Sequence, residues 1–258
     1  MLAIEGVSHA YTGSNTVLDN VTFTIQPGEK VVLLGTNGCG KTTLLKCLNG
    51  LLFPSQGTIA YSGISVTRKA LKERAFHARF RQEVVFLFQN PDAMLFNPTV
   101  YDEIAFGLRQ MERNKIDETV RRWSDMFGLA AKLDKPPFQL SNGEKQKVCL
   151  AALLALEPKL LLLDEPTANL DPHSTGWLID LLRGLDTTAI VTTHNLSLAS
   201  ELGTRTLLLS EAHQLIYDGP TGALFKDTGK LLEANLVHRH SHEHGAVEHA
   251  HYHIHDWD

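Results

Sequence analysis

The sequence has little of what marks a secreted or membrane-spanning protein. Its 258 residues contain three cysteines without a CxxC spacing, which argues against a disulfide framework or a zinc knuckle and favours a reducing compartment. The longest apolar run, Val148 to Leu156, has about half the length that a membrane-spanning helix needs. The N-terminus has neither a basic region nor a long apolar run, so no secretory signal is expected. These absences predict a soluble, cytoplasmic chain that reaches a membrane only through a partner.

An excess of positive charge is also missing. The formal net charge is −5, so a nucleic-acid-binding surface is not expected. The hydrophobic content of 43% and the charged content of 21% are those of a globular chain rather than a disordered one. At this length we expect one large domain or two small ones with a substantial core.

Short apolar runs organise most of the chain. Alternation in VTFTI (21–25) and GTIAYSG (57–63) predicts half-buried antiparallel strands. Continuous apolar runs predict strands buried on both faces; they are KVVLLG (30–35), VVFLF (84–88), LLLLD (160–164), AIVTTH (189–194) and TLLLS (206–210). Helical stretches separate most of these runs, and the region from about 90 to 145 has none and is interpreted as an α-helical insertion. The pattern predicts an α/β fold with a mainly parallel sheet, an antiparallel β subdomain and an α-helical subdomain.

The segment GTNGCGKTT follows the buried run KVVLLG and precedes leucines at helical spacing. It fits the pattern G-x-x-x-x-G-K-[ST] in the strand–loop–helix context that this motif requires. Its glycines allow backbone N–H groups to point inward around an anion, and the helix N-terminus adds the positive end of its dipole. We expect Lys41 to reach the β- and γ-phosphates of a nucleotide and the Thr42 hydroxyl to hold Mg²⁺. The predicted phosphate-binding loop consists of Gly35, Thr36, Asn37, Gly38, Cys39, Gly40, Lys41, Thr42 and Thr43.

Two further motifs carry candidate chemistry. LLLLDEP (160–166) is a buried strand that ends in two acids, of which Asp164 is expected to hold Mg²⁺ and Glu165 to orient and activate a water. A capping pair of carboxylates at a strand end would explain one acid more easily than two. Ser141 and Glu144 form the pattern of a capping box at the start of an apolar helix, which alone indicates only a helix start.

Together these motifs resemble those of the ATP-binding cassette (ABC) ATPase family over about residues 1–225. LSNGE (140–144) is similar to the family signature LSGGQ, with Asn142 in place of a glycine and Glu144 in place of a glutamine. The resemblance implies a P-loop NTPase fold of the ABC type and hydrolysis of ATP to ADP and phosphate, coupled to transport. It also implies a head-to-tail dimer with a second copy or a paralogue, in which the loop of one subunit and the signature of the other enclose each ATP.

The resemblance assigns roles to individual residues. Tyr11 resembles the aromatic residue that stacks on adenine, although a plain core tyrosine remains an alternative. ANLD (168–171) resembles the family's D-loop. The implied catalytic residues are Glu165, Gln89 of the Q-loop and His194, the switch histidine at the γ-phosphate. The implied Mg²⁺ ligands are Thr42, Gln89 and Asp164, and the implied signature acting across the dimer is Ser141, Asn142, Gly143 and Glu144.

The segment FQNPDAMLFNPTVYDEIAFG (88–107) narrows the resemblance. It is similar to the Q-loop region of energy-coupling-factor (ECF) ATPases, in which a segment with proline and phenylalanine receives the coupling helices of a transmembrane partner. Phe96 and Pro98 lie where such a groove would form. The alternative is a loop that packs on its own helical subdomain.

The C-terminus is rich in histidine at two-residue spacing. Neutral imidazole is a good ligand for Ni²⁺, Co²⁺, Zn²⁺ and Cu²⁺, and a vector tag is usually an unbroken run. A merely solvated tail is the main alternative to metal capture. Because a cobalt/nickel branch exists among ECF-type transporters, the tail favours a metal as the transported solute, with the tail itself accessory. The candidate ligands are His238, His240, His242, His244, His249, His251, His253 and His255.

The combined hypothesis is an ABC ATPase domain at 1–230, with its helical subdomain at about 90–145, followed by a His-rich tail at 231–258. We expect a peripheral subunit at the cytoplasmic face of the cell membrane that powers Co²⁺ or Ni²⁺ uptake through separate coupling and substrate-binding subunits. A non-ECF importer for another small solute and a vitamin ECF transporter remain alternatives, and a non-transport ABC protein is disfavoured. NKID (114–117) matches the N-K-x-D tetrapeptide of a GTPase, but it lies in a polar helical stretch ahead of LLLLDEP, which argues against that class.

Overall fold

The computed structural model describes the backbone of all residues except 14, 169, 245–246 and 255–258. Side chains are described from 1 to 237, again without 14 and 169. The chain forms two compact units, the first comprising residues 1–66 and 191–258 and the second residues 67–190. Within the described part, no helix has both the length and the apolar character needed to cross a membrane.

The secondary structure alternates between strands and helices along most of the chain. The strands are β1 (Leu2–Ala10), β2 (Thr16–Ile25), β3 (Lys30–Leu34), β4 (Gln56–Tyr61), β5 (Ile64–Ser65), β6 (Val84–Leu87), β7 (Leu160–Leu163), β8 (Thr188–Thr192), β9 (Arg205–Leu209), β10 (Leu215–Pro220), β11 (Val237–His244) and β12 (Val247–Ile254). The α-helices are α1 (Lys41–Leu48), α2 (Arg74–Glu83), α3 (Val100–Gln110), α4 (Ile116–Met126), α5 (Asn142–Leu154), α6 (Pro172–Gly184), α7 (Leu196–Leu202), α8 (Thr221–Leu224) and α9 (Thr228–Glu233).

The first unit contains two kinds of sheet. Strands β2, β1, β4 and β5 form an antiparallel sheet in that order, which confirms the predicted antiparallel β subdomain. Strand β3 pairs in parallel with β9, and β9 pairs antiparallel with β10. Val31, Val32, Leu33 and Leu34 are fully buried, as the continuous apolar run predicted, and each such side chain stabilises the fold by about 1.5–3 kcal/mol. This burial fixes the strand from which the phosphate-binding loop leaves.

The second unit combines parallel strands with a helical region. Strands β6 and β7 pair in parallel, with Val84 opposite Leu160 and Leu87 opposite Leu163. Between them, α3 and α4 lie in the region predicted to be helical, and short 3₁₀ turns at 91–93, 130–132 and 137–139 connect the elements. Gly107 on α3 permits a close approach to the segment that follows α5, because a Cβ there would lie 2.8 Å from Leu156 Cδ2. The α/β fold class is therefore confirmed.

The predicted strands agree with the structure, but five strands, β1, β5, β10, β11 and β12, were not predicted. Strand β1 pairs with β2 through register shifts between Ile4 and Val7 and between Val7 and His9. Gly6 within it has a φ of 57°, the left-handed region in which glycine is favoured. Such bulges interrupt the period of two on which recognition of a strand in the sequence depends. The division at residue 230 and the bounds 90–145 stay predictions.

Candidate nucleotide-binding site

The loop between β3 and α1 has the geometry of an anion-binding turn. Gly35, Gly38 and Gly40 have φ angles of 148°, 86° and 112°, which side chains rarely adopt. A Cβ on Gly40 would lie 2.4 Å from the carbonyl oxygen of Val17, and a Cβ on Gly35 would lie 2.7 Å from that of Leu209. The loop is therefore held so close to neighbouring backbone that only glycine fits at these two positions.

The N-terminus of α1 is not capped by the side chain of its N-cap residue. Its N-cap residue is Gly40, which has no side chain that could accept a hydrogen bond, and its first turn contains no acidic residue. The first N–H groups of a helix lack intrahelical partners and carry the positive end of the dipole. An incoming phosphate would satisfy them.

Lys41 is the buried cation of this loop. Its side chain is 7% exposed, and Nζ donates hydrogen bonds to the carbonyl oxygens of Gly35 at 2.6 Å and Thr36 at 3.1 Å. None of the carboxylates in the described residues forms an ion pair with it. A buried charge that is bonded only to neutral carbonyls is costly until an opposite charge arrives. The lysine therefore fits a phosphate of a bound nucleotide.

Tyr11 lies beside the start of α1. Its hydroxyl is 3.1 Å from Thr43 Oγ1, and the edge of its ring packs on His9 with the centroids 5.1 Å apart. The side chain nevertheless remains 41% exposed. Because the ring is held at its hydroxyl end and is open to solvent, it can stack on a base. Tyr11 is therefore not a tyrosine buried in the core.

His194 follows β8 at the edge of the sheet from which the phosphate-binding loop leaves. The N–H of Thr193 donates to the carbonyl oxygen of Leu33 at 3.3 Å, and Asn195 caps α7 through its side chain. Parallel strands present ligand-binding residues at their carboxyl ends. Within the first unit, the fold thus brings His194 to the edge that carries the loop.

A turn that sequence reasoning missed also contacts the loop. His213, between β9 and β10, has its Nδ1 atom 3.2 Å from the carbonyl oxygen of Cys39. Because a carbonyl oxygen only accepts, Nδ1 is the donor. The same turn is tied to β2, since the N–H of Asp19 donates to the His213 carbonyl at 2.9 Å and Gln214 Nε2 donates to Asp19 Oδ2 at 2.6 Å. No local pattern in the sequence predicts a contact between two residues as far apart in the chain as Cys39 and His213.

The loop also contains a buried thiol, Cys39, which is 1% exposed. Burial raises the pKa of this thiol above its usual value, and the nearby ammonium of Lys41 only partly opposes the effect. The thiol is therefore neutral at physiological pH, and it is not a reactive thiolate.

In the second unit, the two predicted acids lie directly after β7. Asp164 is 2% exposed and Glu165 is 6% exposed, and the N–H of Asp164 donates to the Leu87 carbonyl at 3.0 Å. Glu165 has a φ of 46°, an uncommon conformation for a residue with a side chain, and such conformations concentrate at functional sites. The buried pair is thus held by the strand ladder and by a strained backbone.

A buried glutamine supports the backbone that follows Glu165. Gln146 on α5 is 1% exposed, and its Nε2 donates to the carbonyl oxygen of Pro166 at 3.3 Å. This residue was not predicted, because its partner is distant in sequence. It connects the signature helix α5 to the segment that carries the acids.

The predicted capping box at the start of α5 is present. Ser141 Oγ accepts from the N–H of Glu144 at 3.3 Å, and Glu144 Oε2 accepts from the N–H of Ser141 at 3.0 Å. Lys132 forms an ion pair with the other oxygen of Glu144. The carboxylate that replaces the family glutamine is therefore neutralised and engaged within its own helix terminus.

Several predicted residues surround one cavity of about 270 Å³ within the second unit. Gln89, Asn90, Asp92, Asn142 and Ala168 line it together with Pro91. Asp92 is bound by Lys145 of α5 at 2.7 Å. The fold thus brings the Q-loop and the first residues of the signature helix next to the start of ANLD.

The last residue of ANLD, Asp171, lies at the start of helix α6. Asp171 caps α6 by accepting from the N–H of Ser174 at 3.0 Å and from its hydroxyl at 2.7 Å. These hydrogen bonds lower the pKa of the carboxyl. Asn169 lies outside the described residues.

A buried carboxylate, that of Glu103, forms hydrogen bonds with the predicted docking segment. Glu103 is 5% exposed; its oxygens accept from the N–H groups of Phe96 and Asn97 and from the Asn97 side chain. Phe96 itself is 67% exposed, and its ring packs edge-on against Phe106 with centroids 5.0 Å apart. Pro98 is exposed as well. The segment therefore packs on α3 of its own helical region through Glu103 and Phe106, and it still displays the Phe96 side chain to solvent.

The predicted site residues are divided between the two units. Tyr11, residues 35–43 and His194 belong to the first unit, and Gln89, residues 141–144, Asp164 and Glu165 belong to the second. The proposed Mg²⁺ ligands Thr42, Gln89 and Asp164 supply hydroxyl, amide and carboxylate oxygens, the hard donors that Mg²⁺ prefers. Their joint coordination stays a prediction. Among the candidate tail ligands, His255 lies outside the described residues, and so do the side chains of the other seven.

Comparisons with known proteins point to one family. The family model described as "ABC transporter" matches residues 18–168. A curated nickel import ATP-binding protein, NikO of Rhodobacter capsulatus, is 39% identical over 242 residues, which are 91% of this chain and 94% of that protein. Other curated relatives, with identities between 36% and 41%, are named only as ABC transporter ATP-binding proteins, without a stated substrate.

Two solved structures share the fold. CbiO1 of Clostridium perfringens, described as part of the ABC transporter complex cbiONQ, is 30% identical with a TM-score of 0.75 and covers 91% of this chain and 94% of its own. A dimeric ATP-binding cassette in a post-hydrolysis state, bound to ADP and Pi, is 25% identical with a TM-score of 0.77 and covers 86% and 99%.

Proposed function

Because this chain belongs to the ABC transporter family and is an ABC ATPase subunit, we propose that it energises an ECF-type importer that takes up a transition-metal cation, Co²⁺ or Ni²⁺. The observation that carries the ATPase role is the uncapped start of α1 beside the buried ammonium of Lys41. The observation that favours a metal as the solute is the likeness to a nickel import ATP-binding protein over nearly the whole chain.

The residues divide the reaction between binding and hydrolysis. Lys41 and the N–H groups of α1 bind the phosphates, and Tyr11 stacks on the base. Glu165 orients and deprotonates the attacking water, while Gln89 and His194 contact the water and the γ-phosphate. Bound Mg²⁺, which ABC ATPases use with ATP, neutralises charge on the phosphates. The buried, strained backbone at Glu165 supports its assignment as the base, because a base must be held in a fixed position near its proton.

We also propose that the active form is a head-to-tail dimer. The chain carries one phosphate-binding loop and one signature segment, and a related cassette is dimeric after hydrolysis. Ser141 and Gly143 would then contact the γ-phosphate bound by the other subunit. The second subunit is either another copy or a paralogue.

The transmembrane partner is proposed to dock at Phe96 and Pro98. The exposed Phe96 side chain would serve as an apolar anchor for a short helix of the partner. The buried Glu103 carboxylate fixes its backbone by accepting from the N–H groups of Phe96 and Asn97. Phe106 and Gln110 are four residues apart on α3 and so share a face. Gln110 also lines a cavity of about 510 Å³ that continues along α2, beside Arg79 and Arg81. These features supply an aromatic contact and a basic groove at the cytoplasmic side of a membrane complex.

Metal uptake by cells tests the substrate. Deleting the gene in its native host should lower cellular nickel or cobalt, measured by elemental mass spectrometry, and the wild-type gene should restore it. A Glu165→Gln gene should not restore it, because ATP turnover is required. Normal content of both metals in the deletion strain would contradict the metal assignment and favour another solute.

A docking variant tests the partner surface. Phe96→Ala should lose co-purification with the membrane subunits and retain the basal ATPase rate, because the aromatic anchor is remote from the phosphate-binding loop in sequence and carries no chemistry. Met126→Ala is the matched control, since Met126 is 50% exposed on α4 and is not proposed to dock. Equal co-purification of both variants would contradict the proposed surface.

A further inference from the structure

The last two strands place histidines opposite one another. Strands β11 and β12 pair antiparallel from Val237 opposite Ile254 to His244 opposite Val247. Within this register three pairs consist of histidine on both sides, namely His238 with His253, His240 with His251, and His242 with His249. Alternate positions of a strand share a face of the sheet. The six paired positions therefore share one face of the two-stranded ribbon.

The same register separates these six from the rest of the segment. The intervening positions pair Arg239 with Tyr252, Ser241 with Ala250, and Glu243 with Glu248, and none of them is histidine. His244 lies opposite Val247, a residue that offers no ligand. The spacing in the sequence treats eight histidines alike, whereas the pairing assigns six of them to three cross-strand pairs.

We propose that this histidine face binds late first-row divalent cations, with the cross-strand pair as the binding unit. Directly opposed residues in an antiparallel pair have Cβ atoms about 4.5–5.5 Å apart, a separation across which two imidazoles can share one ion with metal–nitrogen bonds of about 2.0–2.1 Å. Neutral imidazole is available near pH 7 and suits Ni²⁺, Co²⁺, Cu²⁺ and Zn²⁺. The site is independent of ATP chemistry and does not require that the transported solute be a metal.

Two double variants of the full-length chain distinguish pairing from mere histidine content. His240→Ala with His251→Ala removes one pair and leaves two. His238→Ala with His249→Ala removes the same number of histidines but leaves only one pair. In calorimetric titrations with nickel chloride at pH 7.5, we expect about three bound equivalents for the wild type, two for the first variant and one for the second. The basal ATPase rate should be equal in all three proteins and reports that each is folded.

The outcomes of this titration are decisive. Equal nickel stoichiometry in the two double variants would show that the segment binds by composition as a flexible tail, and it would overturn the pairing. Absence of nickel binding to the wild-type chain would overturn the site altogether. Neither result bears on metal uptake by cells, so failure of this proposal and failure of the proposed function are distinguishable.

A second, independent observation concerns the turn at His213. In a trans peptide the carbonyl group and the following N–H point in opposite directions. The hydrogen bond from His213 Nδ1 to the Cys39 carbonyl therefore aims the N–H of Gly40 away from the turn. We infer that His213 is a positioning residue that keeps this N–H directed into the phosphate-binding loop.

The backbone at His213 makes a clean test possible. Its φ is 65°, which glycine and asparagine tolerate. His213→Gly removes the donor without backbone strain, and His213→Asn keeps a donor at the same δ position as histidine Nδ1. His213→Gly should raise KM for ATP about fivefold with little change in kcat, the size expected for one net hydrogen bond used equally in ground and transition states. His213→Asn should restore KM to within about twofold of the wild type.

The control is Ala212→Gly, which alters the same exposed turn without removing a contact to the loop. A wild-type KM in His213→Gly would overturn the role, and so would a His213→Asn variant as impaired as His213→Gly. A lowered melting temperature with unchanged KM would assign the histidine to stability alone and would equally overturn the inference.

Discussion

The N-termini of α1 and α5 differ in how their free N–H groups are satisfied. Helix α1 begins after Gly40 with no side-chain cap and no acid in its first turn. Helix α5 begins with a complete capping box between Ser141 and Glu144, and Lys132 neutralises the carboxylate. The first terminus accepts an anion as it stands, whereas side chains of the second already satisfy the N–H groups of Ser141 and Glu144. The α1 terminus can therefore bind an anion within one chain, whereas the α5 terminus is proposed to act on a phosphate bound by the other subunit.

The largest expected effect separates binding at α1 from the chemistry that follows it. Glu165→Gln should lower the ATPase rate about a thousandfold, because the general base is lost, while the dissociation constant for Mg·ATP stays within about twofold of the wild type. Phosphate release and calorimetry measure the two quantities. Wild-type hydrolysis in this variant would show that the base lies elsewhere.

Removing the charge at the α1 terminus should have the next largest effect. Lys41→Ala deletes the buried ammonium and should weaken Mg·ATP binding about a hundredfold, since charged hydrogen bonds to phosphate are among the strongest. Lys46→Ala in the last turn of the same helix is the control and should bind normally. Calorimetry that finds equal affinities for both variants would remove the basis for an anion site at α1.

A change at α5 sharpens the contrast between the two termini. Glu144→Gln removes the negative charge and keeps an oxygen that accepts from the Ser141 N–H. In a Glu165→Gln background, ATP-dependent dimerisation, measured by size-exclusion chromatography, should strengthen about fivefold. The gain corresponds to about 1 kcal/mol, because Lys132 then keeps its positive charge without the carboxylate that offsets it. Glu144→Ala should instead lose the cap and about 1 kcal/mol of stability. Unchanged dimerisation in Glu144→Gln would show that the signature carboxylate does not oppose the bound phosphate.

The last prediction concerns a thiol buried within each of the two helices rather than the helix starts. Burial raises the pKa of Cys47 on α1 to about 12 and that of Cys149 on α5 to about 12, against 9.0 for an ordinary cysteine. A group whose folded pKa is raised stabilises the fold below the unfolded pKa, and this stability is lost as the pH rises. The free energy of unfolding should therefore fall between about pH 9 and 12, by at most about 1.4 kcal/mol per pH unit for each thiol. Cys47→Ala should show a shallower fall in chemical denaturation, and a slope equal to that of the wild type would contradict this origin.

Much of the fold could be predicted because its signals are local. The phosphate-binding loop, the buried strands and the capping box of Ser141 and Glu144 each depend on residues close together in the sequence. Strand β1 was missed because bulges near Gly6 break its alternation. Two residues that hold the site, His213 and Gln146, were missed for a different reason. They contact Cys39 and Pro166, which are too distant in the sequence for any periodic pattern to indicate the contact. Local patterns thus predicted the functional groups but not the residues that hold them.

The hydrogen bonds from Lys41 to Gly35 and Thr36 have a consequence for measurements on this chain. The ammonium already donates to two carbonyl oxygens of its own loop, so binding to a phosphate exchanges these hydrogen bonds for new ones. The heat released on association is therefore smaller than it would be for an ammonium without such partners.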